Sequence, residues 1–542
     1  MPPRFPELLP LSLFGVAAAV VLLAWYWLGL PVQMPPSPVT PGEKLTCLSY
    51  APYRGGENPL DPTTQIDPRQ IDEDLRRLAG VTNCIRTYAT DMGQQHVPEI
   101  ARRYGLKVML GLWLSRTAED NQKQIETAVA LANQFPDVVL AVVVGNEVLL
   151  RGDMAGPDLA RTIRAVKARV KVPVTYADVW EFWLRNREVF DAVDFVTIHI
   201  LPYWEDFPIA ASEAAAHVSA IRHKLAEAFP GKEILIGESG WPSHGRMREG
   251  ALPSPANQSR VLHDVLAAAR RENFRVNLIE AFDQPWKRYL EGTVGGYWGL
   301  YDAYRRQPKF AWGGAVSNHP YWPWQAAGGI LLALVVFLAA VAEERRRDAT
   351  AGAAPEMWIG VAGIAIAAGI LAGWSVENML IESFGIGRWM LAVPLVAASI
   401  AAPVLSAAAL IAAVPVPSFA SIVARREDRL REPLPLALGA VLIAVSTLAL
   451  TLALGLVFDP RYRDFAFAPL TSAIVPYAIL VLLRPAAGAI RGQAERMFAA
   501  ALIACTVYIV PNESLANWQA LWFCAALVML ALSLLRLRDA PG

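Results

Sequence analysis

The sequence predicts an α/β barrel of eight parallel strands carried between membrane-spanning helices. Three observations predict it. Apolar residues gather in one run before Pro31 and in several runs after His319, whereas 43–319 carries charges throughout. Within 43–319, short β-rich runs alternate with stretches whose apolar residues recur at three and four, the pattern of a parallel sheet with crossover helices. The alternation counts to eight in about 250 residues, the usual size of a (β/α)8 barrel. The expected domains are an anchor and linker at 1–42, the barrel at 43–319 and a polytopic membrane domain of about seven helices at 320–542.

Taken in order, the run 11–30 is long enough to cross a hydrocarbon core of about 30 Å. A cleaved signal peptide is the competing reading. Val32-Gln33-Met34-Pro35-Pro36 follows without a small-x-small site, so an uncleaved anchor is expected. Trp25, Tyr26 and Trp27 suit its far interface. Barrel strands are expected at 45–50, 84–88, 108–114, 139–147, 172–178, 195–201, 233–239 and 277–283. Most are continuous apolar runs ending in a polar or aromatic residue, as parallel strands covered on both faces should be. Helices are expected at 68–78, 120–134, 157–169, 211–229 and 255–271.

Later spans are expected at 324–342, 357–374, 389–414, 434–458, 467–483, 497–510 and 518–535, with 497–510 short for its task. A cytoplasmic amino terminus puts Arg345, Arg346, Arg347, Arg425, Arg426, Arg429, Arg431, Arg484, Arg491, Arg496, Arg536 and Arg538 in cytoplasmic segments. The opposite loops between these spans hold only Arg388, Arg461 and Arg463. That asymmetry obeys the positive-inside rule and places the barrel outside the cytoplasm. Glu377, Glu382 and Glu513 are expected to be solvated loop residues. Cys505 and Cys524 fall in apolar spans as small core residues. Cys47 and Cys84 begin neighbouring strands and are expected as buried thiols, although an exported domain permits a disulfide.

Chemistry in a (β/α)8 barrel sits at the carboxyl ends of the strands. The polar residues there are Tyr50, Arg86, Tyr88, Asn146, Glu147, Asp178, His199, Tyr203, Glu238 and Asp283. Ala141-Val142-Val143-Val144-Gly145-Asn146-Glu147 ends strand four, and Ile234-Leu235-Ile236-Gly237-Glu238 reaches its glutamate at the end of strand seven. A carboxylate after such an apolar run is costly to bury unless a site uses it or a partner satisfies it. The alternative for each is an ion pair with an arginine at the barrel rim. Two carboxyls across one mouth are what glycosidic cleavage needs, one to protonate the leaving oxygen and one to attack or stabilise the oxocarbenium-like centre. Asn146 is placed to hydrogen-bond a sugar 2-hydroxyl.

These stretches resemble glycoside hydrolase family 17, the β-1,3-glucanase family. Gly145-Asn146-Glu147-Val148 and Glu238-Ser239-Gly240-Trp241-Pro242-Ser243 match its two signatures. Arg86-Thr87-Tyr88, His199 with Pro202-Tyr203, and Tyr297-Trp298-Gly299-Leu300-Tyr301 with Pro308-Lys309 support the match. The resemblance covers about half the chain and implies retention, with Glu147 as acid/base and Glu238 as nucleophile. Plant members have Asn-Glu followed closely by Lys. Here Asp283-Gln284-Pro285-Trp286-Lys287 keeps Lys287 but has Gln284 for the extra glutamate. Bacterial members with attached membrane spans are associated with branched or cyclic β-1,3/β-1,6-glucan synthesis. The implied location is a bacterial inner membrane, with the barrel on the periplasmic side.

Among the tryptophans and tyrosines around the mouth, Tyr203, Trp241 and Trp286 are the expected sugar platforms, because the catalytic stretches flank them. With Tyr50, Arg86, Tyr88, Asn146, His199, Asp283 and Lys287 they form the expected binding set. The seven histidines form no pair at metal spacing, and no phosphate loop or dinucleotide fingerprint is present. No metal, cofactor or nucleic-acid partner is expected. His244 and His263 read as surface residues. The expected partners are a β-glucan, membrane lipid and a separate membrane glucan synthase. A reading of another class is a non-catalytic glucan-binding or export component, whose binding would survive Glu238→Gln.

Overall fold

The computed structural model describes residues 5–346, 352–424, 432–484 and 493–536. Arg347, Arg425, Arg426, Arg429, Arg431, Arg491 and Arg538 lie outside the described residues. The chain divides into two compact units. One comprises Met1–Pro31, Arg246–Glu249 and Ser317–Gly542, and the other Val32–Gly245 and Gly250–Val316.

After helix α1 (Phe5–Leu28), the second unit is a closed barrel of eight parallel strands in sequence order. They are β1 (Cys47–Ser49), β2 (Cys84–Arg86), β3 (Lys107–Leu112), β4 (Val139–Asn146), β5 (Val174–Val179), β6 (Val196–His199), β7 (Ile234–Ser239) and β8 (Val276–Leu278). Around them run α2 (Pro68–Leu78), α3 (Val97–Arg103), α4 (Ala118–Gln134), α5 (Gly156–Lys167), α6 (Trp180–Arg185), α7 (Ala214–Ala228), α8 (Pro255–Glu272) and the one-turn α9 (Arg288–Glu291). Two helix starts follow from local chemistry. Asp67 and Ser254 accept backbone N–H groups of the first turns, and Pro68 and Pro255 occupy first positions where no N–H is needed.

Side-chain alternation explains both the core and the site. Leu48, Ile85, Val142, Val144, Ile198 and Ile236 pack with the helices in one large apolar cluster. Cys47, Cys84, Met109, Val143, Ala177 and Leu235 form a separate cluster on the opposite, inward faces. Two residues further along β1, β2, β3 and β7 the same faces carry Ser49, Arg86, Gly111 and Gly237. The interior therefore changes from aliphatic to polar towards the mouth. Gly237 makes room there, since a Cβ would sit 2.3 Å from Thr197 Cγ2 and 3.4 Å from Arg86 Nη1. Cys47 and Cys84 are joined in a disulfide across β1 and β2, which corrects the expectation of two thiols. The pairing Leu48↔Ile85 holds both sulfurs within reach.

The first unit is helical. After α1 it continues through α10 (Trp322–Arg346), α11 (Pro355–Glu382), α12 (Gly385–Ala412), the short α13 (Phe419–Ala424), α14 (Pro433–Phe458), α15 (Phe467–Leu483), α16 (Gln493–Glu513) and α17 (Trp518–Arg536). Among the described residues, seven helices are long and apolar enough to cross a membrane by length and composition. The short apolar helix is α15, at 17 residues, rather than the segment around 497–510, which extends to 21 residues as α16. Two charge readings also change. Glu377 is bonded by His319 Nδ1 at 3.0 Å and Gln325 Nε2 at 2.8 Å, and buried Glu513 is paired with Arg246 at 2.5 Å. These are partnered helix-end residues, because an apolar bundle end leaves a carboxylate little water.

Candidate active site

Both predicted glutamates follow irregular backbone. The β4–β5 register shifts between Val143 and Asn146, Gly145 has φ 89°, and Glu147 has φ 52°. A positive φ is rare for a residue with a Cβ and is concentrated at functional positions. The register of β7 shifts against both neighbours before Glu238, whose Cα pairs with His199. Bulges of this kind re-aim side chains. Here they bring one carboxylate oxygen of Glu147, one of Glu238 and a ring nitrogen of His199 within 4.8 Å of one another.

Arg86 organises that cluster. Fully buried at the end of β2, it donates from Nη1 to Gly237 O at 2.8 Å and to Glu238 Oε1 at 3.1 Å. Its Nη2 donates to Asn146 Oδ1 at 2.5 Å. Glu238 thus has the rim arginine foreseen as the alternative to a catalytic role, and that same arginine ties it to Asn146. Tyr88 donates its hydroxyl to Glu238 Oε1 at 2.8 Å. Arg86 Nη1 also lies 3.2 Å from His199 Nε2, while His199 Nδ1 lies 2.8 Å from Glu147 Oε1. Arginine can only donate, so Nε2 accepts and the ring proton sits on Nδ1, facing Glu147. Burial raises the Glu147 carboxyl. The His199 hydrogen bond, followed by the Arg151 and Arg86 charges, lowers it by more and holds it below the ordinary glutamate range. The Glu147–His199–Glu238 trio has donor atoms of metal-binding type, and the Arg86 guanidinium already pairs with Glu238 and lies against His199.

The turn after Glu147 is held from β5. Asp178 Oδ2 accepts from Leu149 N at 3.2 Å and Leu150 N at 3.3 Å, and the Tyr176 hydroxyl accepts from Leu149 N at 3.0 Å. Burial pushes the Asp178 carboxyl up to about 6, with Tyr176 opposing and the Glu147 charge adding to the rise.

Sequence reasoning missed Glu280 and Glu291. Glu280, just after β8, is buried and paired with Lys287. Burial pushes it up to about 7, against Lys287 and with the charges of Glu291 and Glu238. Glu291 is also raised, by burial against Lys287, then by Glu147 and Glu238. The acidic partner of Lys287 is therefore present, supplied by Glu280 rather than position 284. Gln284 is buried and donates to Ala51 O. The available signal was the one used for the other two, a carboxylate directly after apolar Leu278-Ile279.

The remaining predicted residues divide. Arg86, Tyr88, Asn146 and His199 join the carboxylates, and Lys287 stands beside them through Glu280. Tyr50 turns its hydroxyl to Asp74 of α2, at 3.2 Å. Asp283 is committed to Lys309 at 2.6 Å and Gly299 N at 2.8 Å. Tyr203 and Trp241 are 0% exposed and pack edge to face, so neither presents a free ring face here. Trp286 is half-buried, with its Nε1 on Gln284 Oε1 at 2.8 Å. Trp113, at the end of β3, is 38% exposed under the Arg151 guanidinium. His263 is buried and bonds Ser259 O and Gly313 N, so it is no surface residue, and His244 is half-buried against Tyr297.

Residues 47–299 match the BtgE/BtgC glycoside hydrolase domain. A glucan 1,3-beta-glucosidase of Schizosaccharomyces pombe is 31% identical over 240 residues, covering 40% of this chain and 72% of that protein. One of Arthroderma benhamiae is 28% identical over 261 residues, covering 45% and 84%. The probable beta-glucosidase btgE of Aspergillus fumigatus is 26% identical over 264 residues, and the chain spans only 45% of its length. The crystal structure of a family 17 β-1,3-glucanosyltransferase from Rhizomucor miehei is 28% identical, with a TM-score of 0.43, covering 49% of this chain and 95% of that one. On the sequence relationship and the eight-stranded barrel, the chain belongs to the glycoside hydrolase family 17-like β-1,3-glucanases.

Proposed function

We propose that the barrel cleaves β-1,3-glucan with retention of configuration and passes the glycosyl unit to water or to another glucan hydroxyl. The carrying observation is that carboxylate oxygens of Glu147 and Glu238 approach within 4.8 Å. That is near the spacing of roughly 5–5.5 Å in retaining pairs and short of the roughly 6.5–9.5 Å that admits an inverting water. Glu238 attacks the anomeric carbon while Glu147 gives its proton to the departing glycosidic oxygen, leaving a glycosyl ester on Glu238. Glu147, now a carboxylate, takes the proton of the water or acceptor hydroxyl whose oxygen displaces Glu238. Tyr88 and Arg86 hold the nucleophile's rotamer. The glycosidic oxygen takes the place of His199 at Glu147, removing the contact that lowers that carboxyl. Asn146, its Oδ1 occupied by Arg86, offers Nδ2 to the sugar 2-hydroxyl.

The substrate class rests on relatives named as glucan 1,3-beta-glucosidases. The apolar helices support membrane attachment, while the reading of glucan remodelling outside the cytoplasm, beside a separate synthase, draws on the arginine asymmetry of the loops and the family resemblance. The test is to incubate the full chain with a laminari-oligosaccharide and follow the first-formed anomer by proton NMR. The β-anomer is expected, and α-anomer appearing first would sink the retaining reading. Longer products mean transfer, and only shorter ones mean hydrolysis. Glu147→Gln and Glu238→Gln should each lose about 10²–10⁴ in rate with circular dichroism unchanged.

A further inference from the structure

The helical unit holds a cleft that glycosidic chemistry does not use. It lies where α11 ends and α12 begins, beside the 459–466 connection, with a cavity volume of about 120 Å³. Leu391 and Leu395 of α12 and Leu452 and Leu456 of α14 give it aliphatic walls. Its polar end holds Asn378 and Glu382, one turn apart on a single face of α11, with Arg388, Arg463 and Asp464.

These polar groups differ in how far they are satisfied. Arg388 donates to Asp464 at 2.8 Å and to Tyr462 O at 2.7 Å, and Arg463 pairs with Asp459 at 3.1 Å. Glu382 and the Asn378 amide make no hydrogen bond or ion pair among the described residues. Arg388 and Asp464 share this end of the cleft with Glu382 and are engaged with each other. An unmatched carboxylate at the head of an aliphatic slot calls for a cation carried on an aliphatic tail. Arg463 gives Nε and Nη2 to Asp459 and keeps its Nη1 donors for an anion next to that cation.

We propose that this cleft binds a single aminophospholipid. Its primary ammonium meets Glu382 and the Asn378 carbonyl, its phosphodiester meets Arg463, and an acyl chain lies between the leucines of α12 and α14. A choline head has no N–H to give these acceptors, and a glycerol head brings no cation. The site rests on the reading that the helical unit lies in a bilayer.

The test uses the full chain, extracted in mild detergent and equilibrated with vesicles of equal parts phosphatidylethanolamine, phosphatidylcholine and phosphatidylglycerol. Retained lipid is counted by native mass spectrometry. Phosphatidylethanolamine should be retained about tenfold over the other two, the worth of one charge-assisted contact. Glu382→Gln should abolish that preference without changing helicity, and Leu395→Trp, which fills the slot, should reduce retention of all three. Equal retention in the wild type, or preference for either other head, overturns the site while leaving the bilayer reading intact. Release of the chain from membranes by alkaline carbonate overturns both.

Discussion

His199 stands between the two carboxylates, and Arg86 dictates which of its nitrogens carries the proton. Replacing it with asparagine withdraws the N–H that lowers Glu147, leaving burial to raise that carboxyl. The alkaline limb of kcat/KM reports loss of the acid's proton. It should therefore move to higher pH in His199→Asn, as a pH–rate profile on a laminari-oligosaccharide will read. Asp178 acts one step further out, through the turn that presents Glu147. Asp178→Ala should cut kcat by about one to two orders of magnitude while changing KM little, since substrate does not meet it. Its titration carries a second expectation. The folded carboxyl, at about 6, lies above its usual 3.8, so its proton favours the native state. That contribution is complete below about 4 and is lost as pH rises through about 6. Thermal scans of the wild type and Asp178→Asn should change relative to each other across this window and run parallel above about pH 7. Glu147, Glu238, Arg86 and Tyr88 were legible in sequence because each ends a buried apolar run. Tyr50 and Asp283 fit the same pattern, but strand-end position does not say whether a side chain turns to the mouth or to the helices.

At the scale of elements, all eight strands were legible because each is a short apolar run between amphipathic helices. Their carboxyl ends were overdrawn at β1, β2, β3, β4, β6 and β8, most at β8. Tyr50, Tyr88 and Asp283 lie past the ends of the ladder, and of the three only Tyr88 reaches the carboxylates. α2 begins at Pro68 and ends at Leu78 as read, and α8 begins at Pro255, because proline and a capping side chain fix those starts. α3 and α6, of 7 and 6 residues, are too short to show a period. The disulfide was beyond sequence, since it depends on the facing of two Cβ atoms. It closes a loop of separation 37, worth about 4 kcal/mol by chain entropy. Cys47→Ser should therefore lower the barrel's thermal midpoint clearly. Activity at room temperature should persist, because both sulfurs lie among Met109, Val143 and Leu235, below the polar layer of the mouth.

For the molecule as a whole, hydropathy made the two kinds of unit legible and left the binding geometry of the helices unread. Runs of alanine, leucine and valine report burial without saying which faces meet, so the partners of Glu377 and Glu513 emerge only from the packed helices. The bond between Cys47 and Cys84 bears on the history of each chain. A chain whose barrel has reached an oxidising compartment should offer two alkylatable sulfurs on denaturation, Cys505 and Cys524, and one retained in the cytosol should offer four. Quenching cells with a maleimide and weighing the denatured protein would thus record how many copies completed the crossing, molecule by molecule, without any reporter fused to the chain.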